Sequence, residues 1–243
     1  MKILFNNLAH NYEIPENKNF YTKTARILIN LIQSYIDNPF YVLELGAGTG
    51  ISTKEWLTYF PTSKVICIDK SLKMLTYINE KNLDVIKICI DAKEIVFKQK
   101  FDVIFGNICL HWFWDETFLC KLKKYLNYKG VIGFSVPVNA RSFARGNLIL
   151  SKILCKLGLY KKKTLREKIL NRLRDVNGKH FEITFEETYS PSKWLKILKS
   201  RGSWNYLFDR KVKEAEELWK IYTKNLASLP LKWRIVFFLI KND

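Results

Sequence analysis

Four polar side chains stand where short apolar runs of this sequence end. They are Glu44 in Tyr41-Val42-Leu43-Glu44-Leu45, Asp69 after Lys64-Val65-Ile66-Cys67-Ile68, Asp91 after Val85-Ile86-Lys87-Ile88-Cys89-Ile90, and Asn107 closing Phe101-Asp102-Val103-Ile104-Phe105-Gly106. Carboxylates accept hydrogen bonds, whereas an amide both donates and accepts. Brought together, such groups suit a ligand rich in hydroxyl and amino groups. Beside Glu44 the chain breaks into Gly46-Ala47-Gly48-Thr49-Gly50 and then enters a helical pattern at Ile51. Glycine tolerates positive φ and lets a ligand approach the main chain closely, and a helix start aims unpaired N–H groups into the same space. The spacing departs from the Gly-x-Gly-x-x-Gly of dinucleotide pyrophosphate sites. A carboxylate at Glu44 would repel phosphate and attract an ammonium or sulfonium. These residues predict a nucleoside with a charged, phosphate-free tail: Asp69 would accept its ribose hydroxyls, and Asp91 an adenine amino group. NAD is the alternative they leave open.

Positioning these groups requires strands that end side by side. Apolar runs over 40–45, 64–69, 85–90, 101–107 and 131–136 read as strands, with helical patterns over 51–59, 71–82 and 115–126 between them and a turn at 127–130. This alternation predicts βαβ units and a parallel sheet. Near-continuous apolar strands fit a sheet covered on both faces. Ligands in such sheets lie at the carboxyl ends of the strands, where the four polar residues fall. An amphipathic helix over about 20–36 precedes the first strand. After Pro137 the rhythm stops: 140–176 reads as one or two basic helices, 181–186 as a strand, 190–198 and 211–226 as helices and 233–240 as the last strand. The expected organisation is a single domain over 1–243, with residues 1–38 as an N-terminal segment and helix, and 140–180 as a basic helical cap inserted after the fifth strand.

The chain has 243 residues, of which 48% are hydrophobic and 14% aromatic, which excludes a disordered protein. No apolar run reaches the roughly 18 residues of a spanning helix, and the first residues lack the pattern of a secretory signal. The five cysteines, Cys67, Cys89, Cys109, Cys120 and Cys155, form no CxxC pair, so a reduced, cytoplasmic protein is expected. His10, His111 and His180 have no metal-like spacing, and no metal is expected. The net charge of +18, densest from Lys161-Lys162-Lys163 through Arg174, suggests an acidic partner; nucleic acid, an acidic carrier protein or an anionic surface all qualify.

Through Glu44-x-Gly46-x-Gly48-x-Gly50, Asp69 and Asp91-Ala92, in that order, residues 38–137 resemble class I S-adenosylmethionine-dependent methyltransferases. That resemblance implies an α/β, Rossmann-like fold: a seven-stranded, mostly parallel sheet with an antiparallel last strand and helices on both faces. It implies S-adenosyl-L-methionine as cofactor and S-adenosyl-L-homocysteine as product. It assigns the methionine tail to the turn at Glu44, Gly46, Ala47, Gly48 and Gly50, the ribose to Asp69, and the adenine to Asp91 and Ala92. Lys70, Met74, Asn107 and Tyr12 complete the expected cofactor set.

A narrower resemblance lies at the chain ends. Phe5-x-x-x-Ala9-x-x-Tyr12, Asn107-Ile108-Cys109-Leu110-His111-Trp112, Leu198-Lys199-Ser200-Arg201-Gly202 and Pro230-Leu231-Lys232-Trp233-Arg234 through Phe238 are similar to the malonyl-acyl-carrier-protein O-methyltransferases of biotin synthesis. This implies methylation of the free carboxylate of malonyl-acyl carrier protein or malonyl-CoA, with residues around Phe5 and Tyr12 closing over the cofactor and an acidic acyl carrier protein as partner. Such a carboxylate is ionised at neutral pH and needs no general base. Alignment, exclusion of water and a cation for the carboxylate would suffice; Arg141 and Arg145 are the expected cations, and Tyr12 the lid. His111 stands where that family often has glutamine. The alternatives are an RNA methyltransferase, one acting on another small carboxylic acid, or a non-catalytic subunit. The residues after the fourth strand argue against base methylation. They contain neither a proline before Cys109 nor the Asn/Asp-Pro-Pro-Tyr/Phe motif.

Overall fold

The structure, a computed structural model, describes residues 2–78, 84–115, 117–138, 144–159, 168–169, 171–172 and 178–242. The sheet has seven strands: β1 (Tyr41–Leu45), β2 (Lys64–Asp69), β3 (Val85–Cys89), β4 (Phe101–Asn107), β5 (Leu126–Val138), β6 (Lys179–Tyr189) and β7 (Leu229–Lys241). Their order across the sheet is β3-β2-β1-β4-β5-β7-β6. The first five strands pair in parallel, and β7 runs antiparallel between β5 and β6. From β1 the chain builds outward to β3 on one side, then returns to build β4 and β5 on the other. That reversal leaves a crevice between the carboxyl ends of β1 and β4, the usual ligand position in an open α/β sheet.

The pleat sorts the strand residues to two cores. On one face Val42, Val103 and Phe105 pack under α2 (Pro15–Gln33), through Leu28, Ile29 and Ile32, and under α3 (Ile51–Tyr59), through Trp56. On the other, Leu43, Leu45, Ile104 and Phe134 pack against Leu119 and Leu122 of α5 (Phe118–Lys123). A third core lies beyond β5. It joins Ile153 of α6 (Arg145–Lys156), Trp194 of α7 (Pro191–Ser200), Trp204 of α8 (Ser203–Phe208), Trp219 of α9 (Val212–Thr223) and Leu229 and Leu231 of β7. The chain is further tied by α1 (Lys2–Tyr12) and the one-turn α4 (Leu72–Leu75).

Several elements differ from expectation. Residues 2–12 form a helix that the sequence pattern does not announce, and 203–208 form another, anchored by the buried Trp204 and Phe208. The turn expected at 127–130 is strand: Lys129 N–H donates to the Asn242 carbonyl and Asn242 N–H to that of Gly130, so β7 draws this segment into β5. β7 starts before Pro230 because that residue lies opposite Thr188 of β6, past the point where β5 pairs, and no ladder bond there needs its missing N–H. The helix expected over 71–82 is regular only over 72–75, and 79–83 lie outside the described residues. No described helix is long and apolar enough to cross a membrane.

Candidate functional site

The crevice is a cavity lined by residues from β1 through β4, from the 3-10 turn that follows β4, and from α1: Phe5, Tyr12, Gly46, Gly48, Asp69, Lys70, Ser71, Met74, Asp91, Ala92, Asn107, Ile108, Cys109, Trp112 and Phe113. At its base the chain turns from β1 into α3. Gly46 and Gly48 both hold positive φ, at 67° and 57°, for different reasons. A Cβ at Gly46 would lie 2.6 Å from the Cβ of Cys109, so that glycine lets the loop after β4 pack onto the turn. Around a Cβ at Gly48 there is nothing within 4 Å. That glycine holds open a concave stretch of main chain that a side chain would fill.

Asp69 closes the turn from the side. Its Oδ2 accepts the Gly48 N–H at 2.9 Å and its Oδ1 accepts the Ser71 N–H at 2.8 Å. Burial raises its carboxyl above the usual aspartate range, against the pull of the Ser71, Gly48 and Lys70 N–H groups. A carboxylate has about four acceptor positions, so these bonds leave it room to accept from a ligand. Asp91 accepts from Lys70 Nζ at 2.6 Å and from the Lys93 N–H at 3.0 Å. Burial works to raise its carboxyl, but the Lys70 ammonium and the Lys93 N–H prevail and hold it below the ordinary value. Asn107 uses its amide to join three elements: Nδ2 donates to the Tyr21 carbonyl and Ser52 Oγ, and Oδ1 accepts from Ser135 Oγ at 2.5 Å.

The remaining wall is apolar, with Phe5 edge-on to Trp112 at 5.0 Å. Tyr12 stacks on Tyr21 with ring centroids 5.1 Å apart. Burial, then Tyr21, then the nearby Asp69 push its phenol well above the ordinary range, so it keeps its proton and presents an O–H donor. Ser71 Oγ donates to Asn6 Oδ1 at 2.6 Å, a side-chain link between α1 and the start of α4.

Gly46, Gly48, Asp69, Lys70, Met74, Asp91, Ala92, Asn107 and Tyr12 therefore share one cavity, whereas other expected residues do not reach it. Glu44 lies two residues from Val42 on β1, so the pleat turns it under α3 instead of toward the ligand space. There it is 1% exposed and accepts from Thr53 Oγ1 at 2.5 Å and from Cys67 Sγ at 3.7 Å. Burial raises its carboxyl to about 8, so the negative charge expected beside the turn is absent at neutral pH. Ala47 and Gly50 support the turn from behind: Ala47 N–H donates to the Ile68 carbonyl, and Gly50 caps α3. Arg145 opens α6 on an exposed position outside the cavity wall, where α6 is fixed to β7 by paired bonds between Asn147 and the Lys232 backbone. Arg141 and part of the expected cap, at 140–143, 160–167, 170 and 173–177, lie outside the described residues. His111 is half-buried beside Trp112, and desolvation of its ring holds it down to about 3, which leaves it neutral near pH 7. No His/Cys/Asp/Glu cluster suited to a metal occurs among the described residues.

The wall residues Ile108 and Cys109 were not expected. Ile108 holds a φ of 53°, which a β-branched side chain resists. Its N–H donates to the carbonyl and hydroxyl oxygens of Ser135. Nothing in Asn107-Ile108-Cys109 signals this, because neither glycine nor asparagine, the residues that most often adopt positive φ, occupies position 108.

Residues 42–130 match the family model described as a methyltransferase domain. The malonyl-[acyl-carrier protein] O-methyltransferase 1 of Ilyobacter polytropus is 30% identical over 67% of this chain and 63% of its own length. The trans-aconitate 2-methyltransferase of an Azoarcus species is 29% identical over 49% of this chain and 46% of its own. The chain spans between 47% and 63% of the lengths of the first malonyl-carrier relatives it matches. Among solved structures, the plantazolicin methyltransferase in complex with S-adenosylhomocysteine shares the fold, with a TM-score of 0.52, 15% identity and coverage of 100% of this chain and 96% of that one.

Proposed function

We propose, for a chain that carries a class I S-adenosylmethionine-dependent methyltransferase domain, that the cavity binds S-adenosylmethionine and that the protein methylates a carboxylate. The observation that carries the donor site is the open main-chain cradle at Gly48 with Asp69 and Asp91 facing it across one cavity. When bound, S-adenosylmethionine supplies a methyl group on a sulfonium. Asp69 would accept the ribose hydroxyls with the oxygen positions left by Gly48 and Ser71. Asp91 would accept the adenine amino group beside Lys70, and Ala92 and Met74 would pack on the base. Phe5, Tyr12, Trp112 and Phe113 would exclude water from the methyl-transfer space, which matters because water competes as an acceptor.

The acceptor we favour is the free carboxylate of a malonyl group carried on acyl carrier protein or coenzyme A, the first methylation in building the pimeloyl chain of biotin. Its support is the similarity to malonyl-carrier methyltransferases and the absence of any need for a base, since the carboxylate is already ionised. Arg141, three residues past the end of β5, is the cation proposed to hold that carboxylate. The basic segment that includes Lys162, Lys163 and Arg166 is proposed to dock the acidic carrier. The similarity to a trans-aconitate methyltransferase favours a second reading, in which the acceptor is a free small polycarboxylate.

Parallel incubation of the protein and labelled S-adenosylmethionine with malonyl-acyl carrier protein, malonyl-CoA, trans-aconitate and bulk RNA separates these readings. Label on either malonyl thioester is the expected result. Label on trans-aconitate alone moves the acceptor to a free acid, and label on RNA alone removes both carboxylate readings. Reversing the charges of Lys162, Lys163 and Arg166 should impair use of the carrier-bound substrate more than that of malonyl-CoA; equal losses would end the docking idea.

A further inference from the structure

Arg201 is 5% exposed, the one cation buried to this degree among the described residues of a chain whose many lysines lie outside. It follows α7, far in sequence from the glycine turn. Its Nε donates to Asn17 Oδ1 at 2.9 Å, its Nη1 to Glu187 Oε2 at 3.3 Å and its Nη2 to the Glu16 carbonyl at 3.3 Å. The guanidinium also lies 4.3 Å from the centre of the Phe20 ring. Asn17 passes this restraint on: its Nδ2 donates to Ser200 Oγ and to the carbonyl of Tyr12, each at 3.0 Å. Tyr12 is the last residue of α1, where helix carbonyls lack intrahelical partners. The next residue of the loop, Gly202, faces the other end of the same helix, with a Cβ position 3.5 Å from the Phe5 ring and 3.6 Å from Leu8. Of the α1 residues that line the cavity, Tyr12 is thus tied to this segment by hydrogen bonds, and Phe5 lies alongside Gly202.

We infer that Arg201 is a positioning residue: acting through Asn17, it sets the joint between α1 and α2 and so holds Phe5 and Tyr12 over the cavity. A planar fork with three donors in use and a ring against its face suits this task, which a lysine ammonium would not perform equally. The inference rests on the proposed reading of the cavity for its consequence, but not for its geometry.

Hydrogen exchange on the ligand-free protein tests it, together with S-adenosylhomocysteine affinity by calorimetry. Asn17→Asp keeps an acceptor for Arg201 while removing both donors to Tyr12 and Ser200. Residues 2–12 should then exchange about tenfold faster or more, with β1 and β4 unchanged, and ligand affinity should fall about five- to tenfold. Arg201→Lys should show the same pattern. Unchanged protection of α1 in Asn17→Asp overturns the inference. So does faster exchange spread equally over the sheet, and so does full protection in Arg201→Lys, which would make charge alone sufficient. If wild-type protein binds no S-adenosylhomocysteine, the cofactor reading falls, while the exchange pattern still reports on the joint.

Discussion

The glycine turn and the Arg201 joint border the same cavity, yet they are built in opposite ways. The turn is made of main chain: Gly46, Gly48 and the Asp69 carboxylate meet through backbone N–H groups within a short βαβ unit. The joint is organised by side chains, the Arg201 fork and the Asn17 amide, which reach residues as far apart as Glu16 and Glu187, and it stands beside the tryptophan-rich core beyond β5. A main-chain site needs a particular backbone shape and tolerates many neighbours. A side-chain hub needs several distant residues at once, so it fails when any part of its support moves. The proposed ligand floor and the proposed lid should therefore respond to different mutations.

Breaking the support of the lid gives the largest expected effect. Trp204 is fully buried in the third core, and Trp204→Ala should cost about 3–5 kcal/mol of stability in urea unfolding. At temperatures where it remains folded, S-adenosylhomocysteine binding should weaken only modestly; complete loss would show that floor and lid are one unit. Breaking the floor should do the reverse. Gly48→Ala places a methyl group in the open cradle at positive φ, with a strain of roughly 1–2 kcal/mol, and should lower ligand affinity about a hundredfold while the protein still folds. Undiminished affinity in calorimetry would remove Gly48 from the site.

A pH series sharpens the comparison further, because Glu44 lies under the floor and not in the lid. Its folded value of about 8 stands above the ordinary 4.5, so the folded protein holds a proton that the unfolded chain releases between those values. Stability rises with pH only where the unfolded state binds more protons. Here the folded state binds more. The contribution is therefore complete below about pH 4.5 and declines as pH rises through 8. The unfolding free energy of wild type, from urea titrations, should fall over pH 5–8 relative to Glu44→Gln, by an amount on the order of a few kcal/mol; parallel curves would mean that Glu44 is ionised throughout. The smallest change is expected at Lys70, half exposed and paired with Asp91. Lys70→Met frees the Asp91 oxygen and removes a cation, opposing effects that should leave ligand affinity within about threefold. A larger shift in calorimetry would give that ion pair a direct part in binding.

Much of the fold was legible in the chain because its signals are local. Period and breakers reveal the parallel strands, and their polar ends place Asp69, Asp91 and Asn107 together without reference to distant contacts. The boundaries of β5 and β7 were less legible because each is set by its partner: residues 127–130 become strand only once Asn242 lies beside them. Helix α1 is not legible because Phe5 and Tyr12 face a cavity completed by other elements and not a core of regular period. The environment of Glu44 is not legible, because its position beside the glycines is a fact of sequence, whereas its direction depends on which face of β1 α3 covers.

The order of residues alone thus determined a nucleotide-type turn at Gly46–Gly50 and the strands that end around it, since backbone conformation and periodicity act over a few positions. Only the tertiary structure decided that Glu44 is buried and keeps its proton, that Ile108 bends into the cavity wall, and that Arg201 reaches the α1 joint. Burial and hydrogen-bond partnership depend on what other segments deliver to the same point in space.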